Sequence, residues 1–440
     1  MNFSDSEVVS SILNKHGYQS CDDFANSDII LLNTCSIREK AELTIRKKLE
    51  SFKKLKKKNS NLKVGVLGCM AERLKDKFLI EEKIVDLVVG PDAYRDIPNL
   101  LDEVELGNNA VNVILSKDET YGNIDPSRFN SNGITAFVSI TRGCDNMCTF
   151  CVVPFTRGRE RSRDPKSILR EIEELKSKGY REITLLGQNV DSYLWYGGGL
   201  KKDFKNASEL QKKCSLSFSK LLDLIANKFK NMRIRFTTSN PQDMSEDVLN
   251  TMAKHKNICN HIHLPVQSGS DKVLKLMNRK HTVNDYKKLI DKIKEILPGC
   301  GISHDMITGF PDETIEDHRL TIELMKYVKY DFGFMFKYSE RPGTLAYKKL
   351  SDNVPEKIKQ KRLEEIIHLQ QEHSFINLKK FRGKNCEVLI EKESKKSASH
   401  WAGRNDQNIM VVFPKKNHKP GDLVNVKINN NTSTTLIGTS

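Results

Sequence analysis

Residues 136–151, AFVSITRGCDNMCTFC, join a predicted strand to three closely spaced cysteines, Cys144, Cys148 and Cys151. Thiolates at these spacings can bind three irons of a [4Fe–4S] cube and leave the fourth iron without a protein ligand. That open iron can bind the amino and carboxylate groups of S-adenosylmethionine (SAM), and an electron from the cube then releases a 5′-deoxyadenosyl radical. We therefore predict a radical-generating cluster at this loop.

Two other interpretations of the triplet are a zinc site and three incidental core thiols. Structural zinc sites usually have four ligands arranged as CxxC pairs, and no fourth Cys or His lies nearby in the sequence. Three incidental cysteines within eight residues, directly after a strand, would be a rare coincidence. Both interpretations are therefore weaker than the cluster.

Downstream of the triplet, strand and helix patterns alternate as far as about residue 350. Five or six β/α units predict an open or complete barrel, with the functional groups at the C-terminal ends of the strands. Helical patterns follow the first five strands, for example at residues 165–178 and 283–296. The candidate strands are residues 136–140, 182–186, 233–237, 261–265, 301–308 and 331–338.

Short apolar strands separated by helices also fill the first hundred residues. This pattern predicts a parallel, doubly wound sheet. A polar stretch rich in Asn, Ser, Gly and Pro follows and is typical of a linker. The patterns indicate helices at residues 4–16 and 38–58, and strands at residues 28–33, 63–67 and 85–90.

The C-terminal region changes from helical to β patterns after a long amphipathic helix at residues 355–379. Short β patterns at residues 384–391, 409–413 and 423–428 predict a small antiparallel β-barrel, a geometry often used for oligonucleotides. Trp401 and Phe413 could stack on bases there or fill the core. The predicted fold class is α/β, in four parts: a doubly wound parallel-sheet domain (1–106), a linker (107–131), a (β/α) partial barrel (132–372) and the small β-barrel (373–440).

The composition is that of a basic chain, with 440 residues, a formal charge of +15 and ten cysteines. Such a charge favours a polyanionic partner such as nucleic acid, although solvated lysine faces such as residues 53–58 also contribute to it. No apolar run approaches the ~18 residues of a membrane span, and the first ten residues do not resemble a signal peptide. We expect a cytoplasmic protein, in which clustered cysteines serve metal or redox chemistry.

Residues 148–163, CTFCVVPFTRGRERSR, closely resemble the methylthiotransferase branch of the radical SAM family. The resemblance extends over nearly the whole chain, and its strings are long and unusual. They are NTCSIR at residues 33–38, LGCMA at 67–71, LGQNV at 186–190, FTTSNP at 236–241 and HLPVQSG at 263–269.

The resemblance implies an N-terminal domain with an auxiliary [4Fe–4S] cluster, a radical SAM barrel and a C-terminal TRAM domain of OB-like shape that binds RNA. It also implies methylthiolation at C2 of N(6)-dimethylallyladenosine at tRNA position 37, with one SAM as methyl donor and a second as radical source. The expected partners are the anticodon stem-loop of tRNA, an electron donor such as flavodoxin or ferredoxin, and an iron–sulfur or sulfur carrier protein. We expect a monomer that does not bind membranes.

Three rival functions stay open. Two are the similar enzymes for threonylcarbamoyladenosine in tRNA and for a ribosomal-protein aspartate, and the third is an RNA-binding protein whose cluster is only structural. The strings at residues 155–163 and 36–40 favour the dimethylallyladenosine enzyme.

For the auxiliary cluster, Cys35 and Cys69 match the second and third family ligands. The first family cysteine would precede Met1, so we interpret Met1 as an internal methionine of a longer chain. If the chain begins there, we expect the sheet to lack an interior strand, which exposes two unpaired edges, and we expect the cluster to be labile. Cys21 does not match a ligand position and is expected to be structural.

The SAM and RNA contacts are also implied by the resemblance. Gly187, Gln188 and Asn189 are expected to bind the SAM amino group, and Gln267 and Ser268 its ribose or carboxylate, although plain turns would give similar strings. Arg157 and Arg159, which alternate with Arg161 and Arg163, are expected to contact RNA phosphate or the SAM carboxylate, and solvated charges are the alternative. His261 and His263 are expected to be core residues, as are the isolated cysteines. No catalytic side chain is expected beyond the cluster ligands.

Overall fold

The computed structural model describes residues 1–36, 39–75, 77–129 and 131–440. The described chain has the expected α/β architecture of three folded parts. The predicted helix start at Arg38 lies outside the described residues. No helix within these ranges is long and apolar enough to cross a membrane.

The N-terminal domain is a four-stranded parallel sheet, in the order β1–β2–β3–β4, covered by helices on both faces. Val8 and Ile12 pack on one face, and Leu49 and Phe52 on the other, so both faces are dry and the strands between them are apolar. The elements are α1 (Asn2–Lys15), β1 (Ile29–Thr34), α2 (Glu39–Lys58), β2 (Lys63–Gly68), α3 (Cys69–Leu74), α4 (Lys77–Glu81), β3 (Leu87–Val89), α5 (Ile97–Glu105) and β4 (Ala110–Asn112).

Two sequence-based expectations for this domain need correction. The two unpaired edges that we expected inside the sheet are absent from its described residues, because β1 pairs with β2 directly along six residues, from Ile29 with Lys63 to Thr34 with Gly68. This direct pairing satisfies the backbone groups that a gap would have left open. In addition, β4 lies inside the predicted linker, where three residues are too few to show a strand pattern.

The central domain is an open barrel of six parallel strands, in two hydrogen-bonded groups, β5–β8–β11 and β12–β13–β14. The described residues show no pairing between β5 and β14, which are the two edges. The elements are β5 (Thr135–Ser139), β6 (Thr141–Arg142), α6 (Val153–Thr156), β7 (Arg161–Ser162), α7 (Pro165–Ser177), β8 (Glu182–Leu186), β9 (Leu194–Trp195), α8 (Glu209–Lys213), β10 (Leu216–Ser217), α9 (Phe218–Lys228), β11 (Arg233–Thr237), α10 (Glu246–Lys254), β12 (His261–His263), α11 (Asp271–Leu276), α12 (Val283–Ile296), β13 (Gly301–Thr308), α13 (Ile315–Val328) and β14 (Phe332–Lys337).

The helices of the barrel start at side-chain caps and pack by amphipathic stripes. Thr282 and Thr314 each accept a hydrogen bond from the third residue of α12 and α13, which satisfies an otherwise unpaired N–H. On α7, Ile168, Ile172 and Leu175 recur at helical spacing and are fully buried in the barrel core. Local sequence therefore determines where these helices begin and which face they bury.

The C-terminal domain is a closed five-stranded barrel, in the order β15–β16–β17–β19–β18. All its pairs are antiparallel except β17 with β19, which is parallel. The sequence patterns missed β16 and β19. Trp401 and Phe413 lie in the barrel core and are not exposed for base stacking. The elements are α14 (Leu345–Lys349), α15 (Glu356–Lys379), β15 (Asn385–Ser394), β16 (Ser397–Arg404), β17 (Met410–Pro414), β18 (Leu423–Asn431) and β19 (Thr435–Thr439).

The small barrel docks on the starting ends of the central strands. Arg233 and Arg235, on β11, both donate to the carbonyl oxygen of Asn405, at 2.9 and 2.6 Å. Glu182, on β8, pairs with both guanidinium groups at 3.2 and 3.0 Å. Since the cysteine triplet lies near the opposite ends of the strands, the two functional regions are separated by the length of the barrel.

Candidate active site

The cysteine triplet lies on a loop that is fixed by close backbone contacts. Gly143 has φ +74°, and a Cβ there would lie 2.2 Å from the carbonyl oxygen of Arg159, so only glycine fits. The Cys144 N–H donates to the Gly158 carbonyl at 3.2 Å, and the Cys151 N–H to the Cys148 carbonyl at 3.0 Å. The loop therefore presents the three cysteines together.

The three thiols are partly exposed and close enough to act on one another. Burial raises the pKa of Cys144 to about 12, and the neighbouring Cys148 adds to the effect. Burial also raises the pKa of Cys151, with Cys148 and Cys144 contributing. The raised pKa values favour the neutral thiols of Cys144 and Cys151 unless a cation such as iron stabilises their thiolates. Arg279 places Nη1 3.7 Å from the Cys148 sulfur.

The arrangement of the three cysteines differs from that of a site for a single metal ion. In the described part of the chain, no three His, Cys, Asp or Glu side chains converge as ligands of a single metal ion. A cube binds each thiolate through a different iron, so its ligands surround the cluster and do not meet at one point. Cys144, Cys148 and Cys151 therefore stay the predicted ligands of such a cluster.

The loop that follows β8 carries buried polar atoms without hydrogen-bond partners. Asn189 donates from Nδ2 to Asp243 at 2.6 Å, whereas its Oδ1, Gln188 Oε1 and Asp191 Oδ2 are buried without a hydrogen-bond partner. Burial raises the pKa of Asp191 well above its usual value. Gly187 leaves space for Thr141, whose Oγ1 would lie 2.0 Å from a Cβ. Unpaired buried groups of this kind fit a polar ligand such as SAM.

Gln267 and Ser268 are held in an unusual backbone conformation after β12. Gln267 has φ +77°, which costs energy for a residue other than glycine and is typical of functional sites. Its N–H donates to the Asp305 carbonyl, and its carbonyl accepts from the Ile307 N–H, both at 2.9 Å. Ser268 Oγ accepts from the Ser270 N–H at 3.2 Å. These bonds therefore fix both residues beyond the C-terminal end of β12.

Three of the four alternating arginines are buried and paired with carboxylates. Arg157 bonds Asp5 at 2.6 Å, and Arg161 forms a bidentate pair with Asp92, with both bonds at 2.9 Å. Arg163 pairs with Glu171. Arg159 alone keeps a half-exposed side chain, 2.8 Å from Asp145. Asp5 and Asp92 could not be recognised as partners from sequence patterns, because they lie in another domain.

The two auxiliary candidates lie side by side. Thr34 and Gly68 are register partners at the ends of β1 and β2, and Cys35 and Cys69 follow them directly. Adjacent parallel strands are about 4.8 Å apart, so both sulfurs occupy one edge of the sheet. Gly68, with φ +90°, keeps that edge open, since a Cβ would lie 2.6 Å from Asn33 Oδ1.

Arg157 joins this pair to the triplet. Its Nε donates to the Cys69 sulfur at 3.1 Å, and its Nη1 is buried without a partner. Cys69 also raises the pKa of Cys151, although burial is the larger cause. The amino group of Met1 is buried here too, and burial lowers its pKa. Residues of both domains therefore enclose one buried space, which we call the shared interior.

The remaining sequence candidates lie elsewhere. His261 and His263 are buried and share Ser303 Oγ as a hydrogen-bond partner, at 3.0 and 2.9 Å, as expected of core histidines. Cys259 and Cys386 are buried, whereas Cys214 is exposed and is not the core thiol that we expected; Cys21 is exposed as well. Exposed positions in polar loops explain the difference.

Known proteins resemble this chain over its entire length. Family models match in three places: Radical SAM superfamily at residues 138–325, Uncharacterized protein family UPF0004 at 1–90 and TRAM domain at 379–439. The tRNA-2-methylthio-N(6)-dimethylallyladenosine synthase of Christiangramia forsetii is 66% identical over 100% of this chain and 91% of its own length. The synthase of the same name from Bacteroides fragilis is 52% identical over 100% and 93%. The chain belongs to this synthase family.

Solved structures show the same fold at low identity. The radical SAM methyltransferase TsrM from Kitasatospora setae, bound to tryptophan and a SAM analogue, has a TM-score of 0.54 at 12% identity, over 76% of this chain and 69% of that one. The cobalamin-dependent SAM radical enzyme OxsB has a TM-score of 0.52 at 15% identity, over 81% and 54%. The expected fold, enzyme class and radical SAM cofactors, a [4Fe–4S] cluster and SAM, are thereby confirmed, while the ligand positions stay predictions.

Proposed function

We propose that this chain methylthiolates C2 of N(6)-dimethylallyladenosine in tRNA, at position 37 beside the anticodon. The observation that carries the proposal is the contact of Arg157, which follows the cysteine triplet in the chain, with Cys69, whose preceding strand pairs with the strand that ends before Cys35. A reaction that needs a radical and a transferable sulfur requires both centres close to one substrate atom. The names of the full-length relatives support the same activity.

The triplet and the strand ends serve the radical half of the reaction. Cys144, Cys148 and Cys151 would hold the [4Fe–4S] cluster, which supplies one electron to SAM and binds it through the open iron. The unpaired oxygens of Gln188 and Asn189 would accept hydrogen bonds from the SAM ammonium group. Gln267 and Ser268 would position the rest of SAM from the neighbouring strand end.

Cys35 and Cys69 would hold the auxiliary cluster at the facing edge of the first sheet. Arg157 positions Cys69 through Nε and is itself fixed by Asp5. Its unpaired Nη1 is available to a ligand in the shared interior. The half-exposed Arg159 stays our candidate for contact with RNA phosphate, whereas burial restricts Arg157 to groups that enter this interior.

The partners follow from charge and from the third domain. The TRAM barrel and the formal charge of +15 favour binding of the tRNA anticodon stem-loop. Radical SAM chemistry also requires a one-electron donor, such as flavodoxin or ferredoxin, and renewal of the auxiliary sulfur requires an iron–sulfur or sulfur carrier protein. We place the enzyme in the cytoplasm as a monomer.

The test is an anaerobic assay of reconstituted protein with SAM, reductant and two tRNA substrates. One carries N(6)-dimethylallyladenosine, and the other carries threonylcarbamoyladenosine. We expect a product heavier by one methylthio group only from the first, detected by nucleoside mass spectrometry. Product from the second tRNA alone would reassign the substrate, and 5′-deoxyadenosine without either product would limit the assignment to SAM cleavage.

A further inference from the structure

A groove of 1320 Å³ lies on the outer side of the cysteine loop, between α11, α13, α14 and α15. Its floor is aliphatic and includes Leu276, Leu345 and Leu350. Lys272, Lys275 and Lys349 stand on its rim and are exposed. An apolar floor with a charged rim is the usual anatomy of a protein–protein interface.

Thr149 forms part of the groove wall and follows Cys148 directly in the chain. Its N–H donates to the Met277 carbonyl at 3.0 Å, and its Oγ1 to the Leu276 carbonyl at 2.8 Å. Its own carbonyl accepts from the Ala346 N–H at 2.8 Å. The groove is therefore lined by the outer surface of the cluster loop, and a continuous bonded path leads from it to the Cys148 sulfur.

The charges on the rim are only partly neutralised. The buried pair of Arg362 with Glu313, at 2.7 Å, cancels within the groove. Lys272 lies 3.1 Å from Asp317, and the exposed Asp312 accepts a hydrogen bond from Asn353. Within the described residues, no carboxylate pairs with Lys275 or Lys349. Asp312 offsets one of these two charges, so the rim keeps a net positive charge.

We propose that this groove is the docking surface for a one-electron carrier protein whose redox group is surrounded by acidic side chains. The inference rests on the proposed cluster at Cys144, Cys148 and Cys151. The carrier loses one electron and the cluster gains it, and that electron then cleaves SAM to methionine and the 5′-deoxyadenosyl radical. Complementary charge would accelerate encounter, and a small, transient interface is typical of redox partners.

RNA is the other polyanion that could meet this rim, and the lining argues against it. Proteins bind single-stranded RNA by stacking bases on aromatic side chains within a basic groove. None of the residues that line this groove is aromatic. The groove also lies beside α11 and α14, whereas the TRAM barrel docks on the starting ends of the strands.

The test compares the double variant Lys275→Glu with Lys349→Glu against the matched control Lys256→Glu with Lys288→Glu, whose lysines are exposed on the outer barrel. Oxidised flavodoxin is titrated calorimetrically into each reconstituted protein without SAM, at low and high salt. We expect the groove variant to bind about tenfold or more weakly, with a reduced salt dependence, and the control to bind like the wild type.

A second measurement follows 5′-deoxyadenosine formation with either reduced flavodoxin or dithionite. The groove variant should be slow with flavodoxin and unchanged with dithionite, which needs no docking site. Unchanged flavodoxin affinity, or loss of tRNA affinity in place of flavodoxin affinity, would overturn the proposal. If wild-type protein forms no 5′-deoxyadenosine even with dithionite, the proposed cluster is refuted instead.

Discussion

Arg157 Nε donates to the sulfur of Cys69 at 3.1 Å, from the barrel domain to the first sheet. The same guanidinium bonds Asp5 at 2.6 Å, and Asp5 also accepts from Arg142 at 2.9 Å. This buried network crosses the interface between the domains beside both cysteine groups. It therefore couples the position of Cys69 to the fold of the barrel.

Arg157→Met should destabilise the protein strongly. The substitution leaves Asp5 buried with one cationic partner, and breaking a buried pair costs about 3–5 kcal/mol. Urea unfolding measures the free energy, and the matched control is Arg159→Met, whose half-exposed pair with Asp145 should contribute less than about 1 kcal/mol. Equal losses in the two variants would contradict the buried network.

The Asp5 carboxylate should make stability depend on acid pH. Burial would raise its pKa, but Arg157 and Arg142 outweigh burial and lower the pKa from 3.8 to about 2. A lowered folded-state pKa gives stability that is complete above pH 3.8 and is lost as the pH falls through about 2. Above pH 3.8, the lowered pKa contributes about 2 kcal/mol to the free energy of unfolding. Asp5→Asn should lack this slope in unfolding measured between pH 5 and pH 2, and an identical slope would refute the assignment.

Cys148→Ala should abolish SAM cleavage and leave the fold and tRNA binding largely intact. Loss of the Cys148 thiolate would leave a second iron of the radical cube without a protein ligand and destabilise the cube. The measurement is 5′-deoxyadenosine by chromatography, with circular dichroism as the check on folding. Cys214→Ala removes an exposed thiol at the end of α8 and serves as control. SAM cleavage by Cys148→Ala at the wild-type rate would show that the triplet does not hold the cluster.

The auxiliary pair should be separable from the radical centre. Cys35→Ala with Cys69→Ala is expected to keep SAM cleavage and to lose methylthio transfer. The double variant should retain only about four irons, those of a single cube. Iron analysis and nucleoside mass spectrometry measure the two losses. Methylthio transfer by the double variant would remove Cys35 and Cys69 from the proposed auxiliary site.

The TRAM barrel should supply part of the tRNA affinity through phosphate contacts. Truncation is a poor test, because Arg233 and Arg235 would lose the carbonyl acceptor of Asn405. Lys395→Ala with Lys396→Ala, at the exposed turn between β15 and β16, leaves that contact intact. Each lost phosphate contact should reduce the slope of log affinity against log salt by about 0.7–0.9. Lys256→Ala with Lys288→Ala is the control, and equal effects would exclude a specific TRAM contribution.

Local pattern was sufficient to locate the regular elements. The predicted strands at residues 182–186, 233–237 and 301–308 coincide with β8, β11 and β13, because apolar runs bounded by turns are encoded locally. Short pieces such as β4, whose three residues pair with β3, carry too little pattern to be found. Likewise, the cysteine spacing alone predicted a cluster loop, since its ligands are neighbours in the chain.

Partners distant in sequence could be decided only by the tertiary structure. The alternation of Arg157, Arg159, Arg161 and Arg163 is compatible with an exposed basic strand, yet three of them are buried. Asp5 lies 152 residues from Arg157, and Cys69 lies 88 residues from it. A buried guanidinium is stable only where folding brings a carboxylate to it. The sequence therefore determined which chemistry the chain carries, and the packing of two domains determined which arginine holds the second cysteine site in place.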